Sequence, residues 1–251
     1  MIALERLAAA LKTHALGRDV RVVDETPSTM DLAHEAVAQG APDGWTVVTR
    51  RQTAGRGARG RSWSSEEGAS LPFSFVVRPL RAGSLLALAV GLGLAESLER
   101  RGVEARVKWP NDVLVRDRKI AGILVEARSM GGRAPDAAVV GVGVNVRPQP
   151  YPDDVLATDL ATELPGFAAS ELEVFFAETL EAIETWIDRA VRTPSAVARG
   201  LDARLAWRGE AVVVDDGLRG RVLGVDEEGE LLIETDEGTQ QVRAGRVRRA
   251  T

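Results

Sequence analysis

The sequence predicts an α/β (α+β) protein: a larger unit of alternating strands and helices, then a small β-barrel. Three observations carry this. The 251 residues are 45% hydrophobic, enough to bury a core in one large domain with a small one beside it. Over the first four-fifths of the chain, short β-rich runs alternate with apolar stretches of helical period. From Leu205 the texture changes to AVVVDDG, GRVLGVDEEG, ELLIETDEG and TQQVRAGRV. Short strands between acidic glycine turns are the pattern of a small antiparallel barrel. The boundary is placed at 194–206, after Pro194, which gives domains over 1–200 and 205–251.

Taken in order, residues 2–16 read as a short amphipathic helix and Arg21 to Asp24 as a brief strand. Thr26 to Gln39 reads as a turn and a helix, with Ser28 or Thr29 as N-cap and Asp31 in the first turn. Trp45 to Thr49 and Leu71 to Val77 are strands on either side of an Arg/Gly loop. Ser84 to Arg101 is a helix with Leu and Ala on most faces, so it is expected to be buried. Val113 to Val115 and Ile120 to Val125 flank the polar Arg116 to Lys119, a hairpin signal. Ala137 to Val146 is a further strand. Ser170 to Arg192 is a helix with Leu172, Phe175, Phe176, Leu180, Ile183 and Ile187 at helical spacing, read as core.

Composition excludes several chemistries. There is no cysteine, hence no disulfide, thiolate metal site or cysteine nucleophile. This fits the cytoplasm. His14 and His34 are the only histidines, too few for a histidine-rich metal site. The N-terminal stretch, interrupted by Glu5 and Arg6, does not read as a signal peptide. The longest apolar stretch, Leu85 to Ala95, is too short to span a bilayer. The net charge of −5 gives no general field for a polyanion.

The segment RQTAGRGARGRSW, Arg51 to Trp63, stands against that background. It holds Arg51, Arg56, Arg59 and Arg61 with Gly55, Gly57 and Gly60, and no acidic residue. Guanidinium forks suit carboxylates and phosphates. Glycine lets backbone N–H groups approach a ligand. The segment reads as a loop that orders around an anion; a solvated basic loop and a nucleic-acid contact are the competing readings. In VKWPNDVLV, Val107 to Val115, Pro110 holds Trp109 extended, while Asn111 and Asp112 supply turn chemistry.

Three segments in this order, GRGARGRSW, KWPNDVLVRDRKIAGILVEA (Lys108 to Ala127) and VVGVGVNV (Val139 to Val146), together with PSTMD (Pro27 to Asp31), resemble the catalytic core of biotin protein ligases, also called biotin–[acetyl-CoA-carboxylase] ligases. The resemblance implies a mixed-sheet catalytic domain with flanking helices and an SH3-like C-terminal barrel. It implies that biotin and Mg-ATP form biotinyl-5′-AMP with release of pyrophosphate, after which biotin passes to one lysine of a carboxyl carrier protein. Two anions must meet in the first step, so fixed positive charge is required. Mg²⁺ rides on the phosphates, with Asp112 as its one candidate protein ligand. A closed site also protects the mixed anhydride from water.

Residue by residue, the resemblance implies that Ser28, Thr29 and Gln52 contact the biotin ring region. It gives Arg56 and Gly57 to the carboxylate and phosphate, Lys119 to the reacting oxygens as catalytic cation, and Gly122 and Asn145 to the pocket wall. Ala58 belongs to the same biotin-binding loop. Arg59, Arg61, Trp63, Lys108, Asn111 and Asp112 fall on the nucleotide side. Each has a plainer reading: helix cap for Ser28 and Thr29, surface polarity for Gln52, hairpin turn for Asn111, Asp112 and Lys119, core for Trp63.

The chain departs from the family pattern at Ala58, where an arginine that helps retain the adenylate is usual. Arg246 also follows Gly245, where an acidic residue is common. Arg243 to Arg249 carries four arginines, assigned to face ATP or the carrier. Only a short stretch precedes the first strand, so no DNA-binding repressor domain and no specific DNA are expected. A homodimer through the main sheet is left open by the residues. A lipoate–protein ligase and a nucleic-acid-binding module remain the alternatives.

Overall fold

The structure is a computed structural model that describes residues 2–63, 66–128 and 136–250. A seven-stranded mixed sheet lies at the centre. Its order is β1 (Val20–Thr26), β2 (Thr46–Gln52), β3 (Ser70–Val77), β7 (Ala137–Asn145), β6 (Arg118–Arg128), β5 (Asp112–Val115) and β4 (Arg106–Lys108). β1 and β2 are parallel; every other neighbouring pair is antiparallel.

Side chains alternate across a strand, and this chain uses the alternation to build two different faces. On the first, Leu71, Phe73, Phe75 and Val77 of β3 and Val140, Val142 and Val144 of β7 join the main core. Helices α3 (Leu86–Glu99) and α5 (Leu172–Arg192) cover them, with the Phe73 and Phe176 rings edge-to-face at 4.9 Å. The second face is covered only in part. Met30, Ala33 and Val37 of α2 (Thr29–Ala38) pack on Val47, Val76 and Val139. Beyond that patch the same face presents Gly141 and Gly143 of β7 and Gly122 of β6, paired Gly122 to Gly143 across the ladder.

Several elements differ from the sequence reading. The helix expected over 2–16 is confined to α1 (Leu4–Ala10). The backbone N–H groups of His14, Ala15 and Leu16 all donate to the Glu184 carboxylate, at 2.6, 2.7 and 2.9 Å, which draws that stretch out of helical geometry. The buried helix starts at Leu86 because Gly83–Leu85 form a 3-10 turn after a left-handed Ala82. A short helix, α4 (Leu160–Glu163), had no sequence signal beyond its cap, where Asp159 accepts from the N–H of Thr162. The stretch read as a boundary contains a helix, α6 (Ser195–Arg204), with Val197 and Leu201 in the core. The aromatics of the 170–192 helix are core, as expected.

The C-terminal sheet has order β11 (Gly238–Val242), β10 (Leu231–Thr235), β9 (Arg219–Val225), β8 (Ala211–Val214) and β12 (Val247–Arg249), all antiparallel. It shares the main core through Val212, Val222, Ile233 and Val247. The Trp109 indole, before β5, donates to the carbonyl of Gly229 at 3.0 Å and ties the two sheets together.

Candidate active site

The uncovered part of the second sheet face is the floor of a cavity of about 410 Å³, a size suited to a small molecule. Glycine makes the room. A Cβ on Gly143 would lie 2.2 Å from Cε2 of Trp63, and one on Gly141 would lie 2.5 Å from Sδ of Met30. The Val/Gly alternation of β7 thus fills the core on one face and leaves space on the other.

The Arg/Gly segment forms the roof. Thr53 and Ala54 continue the β1 pairing by donating to the carbonyls of Thr26 and Pro27, at 3.0 and 2.9 Å. The chain then folds back on itself: the N–H of Gly57 donates to Arg61 at 2.7 Å, and that of Trp63 to Gly55 at 2.8 Å. A tight turn over Ala58–Gly60 puts Arg59 in the left-handed region at φ 60°. This fold-back drops Trp63 onto the glycine floor. Its buried Nε1 has no hydrogen-bond partner among the described residues.

One end of the cavity is neutral and hydrogen-bonded. Ser28, buried, caps α2 by accepting from the N–H of Met30 at 3.3 Å. The N–H and Oγ1 of Thr29 both donate to Oε1 of Gln52, at 2.7 and 3.0 Å, and Ser74 donates to Thr29 Oγ1 at 2.8 Å. Arg56 lies beside this end. It pairs with Asp31 at 2.9 Å and lies 3.9 Å from Glu126, which is also 2.5 Å from Nε2 of His34.

The other end is cationic. The β5–β6 hairpin turns on Arg116 and Asp117, both left-handed, so Lys119 belongs to strand β6 rather than to the turn. Its backbone is gripped on both sides. The N–H donates to Leu156 at 2.8 Å, and the carbonyl accepts from Thr158 N at 3.0 Å and from Asn145 Nδ2 at 3.1 Å. Its Nζ lies 2.5 Å from Oδ1 of Asp112 and 5.4 Å from the Trp63 ring centre. Asn111 supports the same corner by donating from Nδ2 to the carbonyl of Ile123 at 2.7 Å.

Of the residues expected at the site, Ser28, Thr29, Gln52, Arg56, Gly57 and Ala58 lie on the cavity wall at the roof and the neutral end. Arg61, Trp63, Asn111, Asp112, Lys119, Gly122 and Asn145 lie on it as well, at or toward the cationic end. Arg59 and Lys108 are not on the wall. Arg59 reaches out of the cavity to Asp215, in the turn after β8. Lys108 stands behind Asp112 at 3.8 Å, with Nζ 4.9 Å from the Trp207 ring centre. Burial pushes the Lys108 ammonium below its usual range; Asp112 opposes this, and Lys119, Arg246 and Arg61 add to it.

Sequence reasoning missed the wall formed by Tyr151, Pro152, Asp154, Val155 and Ala157. This segment has no regular period. The available signal was its neighbourhood, immediately after the Val/Gly strand. Met30 was also missed, because on α2 it reads only as a core residue.

The sequence profile of the "Biotin/lipoate A/B protein ligase family" matches residues 22–145, and that of the "Biotin protein ligase C terminal domain" matches residues 209–248. The chain is 33% identical over 243 residues to the biotin–[acetyl-CoA-carboxylase] ligase of Mycobacterium tuberculosis, covering 92% of this chain and 88% of the relative. It is 32% identical over 248 residues to the bifunctional ligase/repressor BirA of Bacillus subtilis, covering 92% and 74%. Among solved structures, the Aquifex aeolicus biotin protein ligase in complex with biotin and ATP superposes with a TM-score of 0.79 at 26% identity, over 93% of this chain and 100% of that one. With both profiles matched and both sheets in place, the chain belongs to the biotin/lipoate A/B protein ligase family.

Proposed function

We propose that this protein is a biotin–[biotin carboxyl-carrier protein] ligase that activates biotin with ATP and hands it to a carrier lysine. The observation that supports this most is the shape of one cavity: a neutral, hydrogen-bonded end under α2, and a cationic end at Lys119, under a single arginine-bearing roof. A ureido ring with a carboxylate tail matches that polarity. Ser28, Thr29 and Gln52 take the ring. Arg56 takes the carboxylate where it meets the α-phosphate, with Gly57 beside it on the cavity wall. Arg61 and Asp112 serve the nucleotide side, with Lys108 behind Asp112.

In the first step a carboxylate oxygen of biotin attacks the α-phosphorus, the bond to the bridging oxygen breaks, and pyrophosphate leaves. Lys119 sits where charge develops, and a fixed cation there lowers the barrier without reorganising. Asn145 and Asn111 act as positioning residues, since their amides hold the backbone around Lys119 and Ile123. Trp63 covers the glycine floor and keeps water from the mixed anhydride. In the second step the neutral amine of a carrier lysine attacks the acyl carbon and AMP leaves.

Among the described residues no group of three or more His, Cys, Asp or Glu side chains could hold a metal ion. Mg²⁺ would arrive on the triphosphate with part of its water shell, Asp112 being the carboxylate beside Lys119. Bound there, it screens phosphate charge. No described helix is long and apolar enough to cross a membrane. The cytoplasm is the proposed compartment, in keeping with a chain free of cysteine. Residues 1–200 and 205–251 are the proposed domains.

The test is transfer. Purified protein, ATP, Mg²⁺ and labelled biotin are mixed with a biotin carboxyl carrier domain of acetyl-CoA carboxylase. Label is expected on the carrier lysine, and none on a Lys→Arg carrier. Equal labelling with lipoate in place of biotin would favour the lipoate ligase alternative.

A further inference from the structure

We propose that Asp215, in the turn after β8 of the C-terminal sheet, is a positioning residue that latches the 55–63 loop shut over the adenylate by pairing with Arg59. The proposal rests on the ligase reading above and adds a residue to it.

Four observations lead there. Position 58, on the cavity wall, is alanine, so it offers the cavity no cation. The neighbouring arginine is turned outward by its left-handed backbone, φ 60° and ψ 40°, a conformation that residues with a Cβ adopt only at a cost. Its Nη1 is paired with Oδ2 of Asp215, at the start of the turn after β8. That same Oδ2 accepts from the backbone N–H of Arg246 at 2.7 Å, so the carboxylate is aimed by main chain rather than left to rotate. The Arg246 N–H, and then Arg59, hold the Asp215 carboxyl below its usual range, which keeps it charged.

The arrangement reaches two segments that line the cavity. Arg246, whose N–H orients Asp215, also donates from Nη2 to Asp154 at 3.3 Å. Asp154, like Ala58 and Gly60, lies on the cavity wall. One rim of the C-terminal sheet therefore touches the arginine loop through Asp215 and the 151–157 segment through Arg246. A loop fastened from outside in this way resists opening without an inward arginine at position 58.

The size of the effect follows from exposure. The Arg59 and Asp215 side chains are 48% and 33% exposed. An exposed pair of this kind is worth at most about a five-fold change in an equilibrium. A latch that weak controls a rate of escape without preventing release.

The test uses the full chain. Labelled biotinyl-adenylate is formed on the enzyme from biotin and ATP, then chased with unlabelled biotin and ATP, and its release rate is measured. The proteins are wild type, Asp215→Asn, Arg59→Ala and the double variant. Asparagine keeps an acceptor for the Arg246 N–H, so the turn is preserved. Each single variant is expected to release about three- to five-fold faster, and the double variant no faster than either. Wild-type release is expected to quicken with salt and that of Asp215→Asn to be insensitive to it. Wild-type release by Asp215→Asn, or multiplying effects in the double variant, would overturn the latch alone. If the wild type forms no adenylate at all, the ligase reading fails, and the latch with it.

Discussion

Nζ of Lys119 lies 2.5 Å from Oδ1 of Asp112, and both side chains are largely buried, at 20% and 14% exposure. The pair crosses the β5–β6 hairpin, so the lysine proposed to carry the chemistry is aimed by a rigid sheet rather than by a loop. Asp112 also lies 3.8 Å from Lys108, which places one carboxylate between two ammonium groups. Lys119→Ala is expected to lower the rate of biotin-dependent adenylation by about 100-fold or more, the usual loss when a preorganised charge is removed from a developing anion. Thermal unfolding is expected to move little. A variant with wild-type adenylation would remove Lys119 from the mechanism.

Gly143 and Trp63 test the floor of the cavity. A methyl group at 143 would overlap the indole, so Gly143→Ala is expected to push Trp63 off its seat. Overpacking of this kind costs about 1–3 kcal/mol. Here the indole can swing out, so the loss is expected in biotin and ATP affinity more than in folding. Paired measurements of Kd for biotin and of unfolding by urea separate the two. A drop in stability with unchanged affinity would show that Trp63 is only a core residue.

Ala58 lies on the cavity wall, in the tight turn of the roof. Ala58→Arg adds a planar donor there and is expected to slow release of biotinyl-adenylate by about ten-fold, equivalent to about 1.4 kcal/mol. Its release rate, measured beside that of Arg59→Ala, decides between an inward and an outward fastening. If Ala58→Arg has no effect while Arg59→Ala speeds release, the loop is held from outside alone.

Lys108 gives the protein a pH dependence with a definite sign. Its ammonium titrates below the usual lysine value of 10.5 in the folded state, chiefly through burial. Between the folded value and 10.5 the unfolded chain binds the extra proton, so stability from this site rises as pH rises through that window. Lys108→Met is expected to flatten that rise. The check is the difference in urea midpoint between wild type and variant at neutral and alkaline pH; a difference that does not change with pH would contradict it.

What was legible in the sequence follows from local physics. The Ser28 cap, the β5–β6 hairpin and the β7 strand are each written within a few residues, where periodicity and turn chemistry act. The Arg/Gly loop was read as an anion site through composition alone, and the structure places it over the cavity. What was not legible depends on contacts far apart in the chain. Arg59 and Asp215 are separated by 156 positions, and neither has a pattern that marks the other. The 151–157 wall is irregular backbone held by pairing with Lys119, invisible to any period. The end of the first helix was set by Glu184, which sits on α5, so local propensity could not place it.

The most direct measurement is exchange of labelled pyrophosphate into ATP by the purified protein with Mg²⁺, run with biotin, with lipoate and with neither. Exchange that requires biotin, is absent with lipoate, and is lost in Lys119→Ala is the result this account predicts. Exchange that proceeds without biotin, or prefers lipoate, would contradict it.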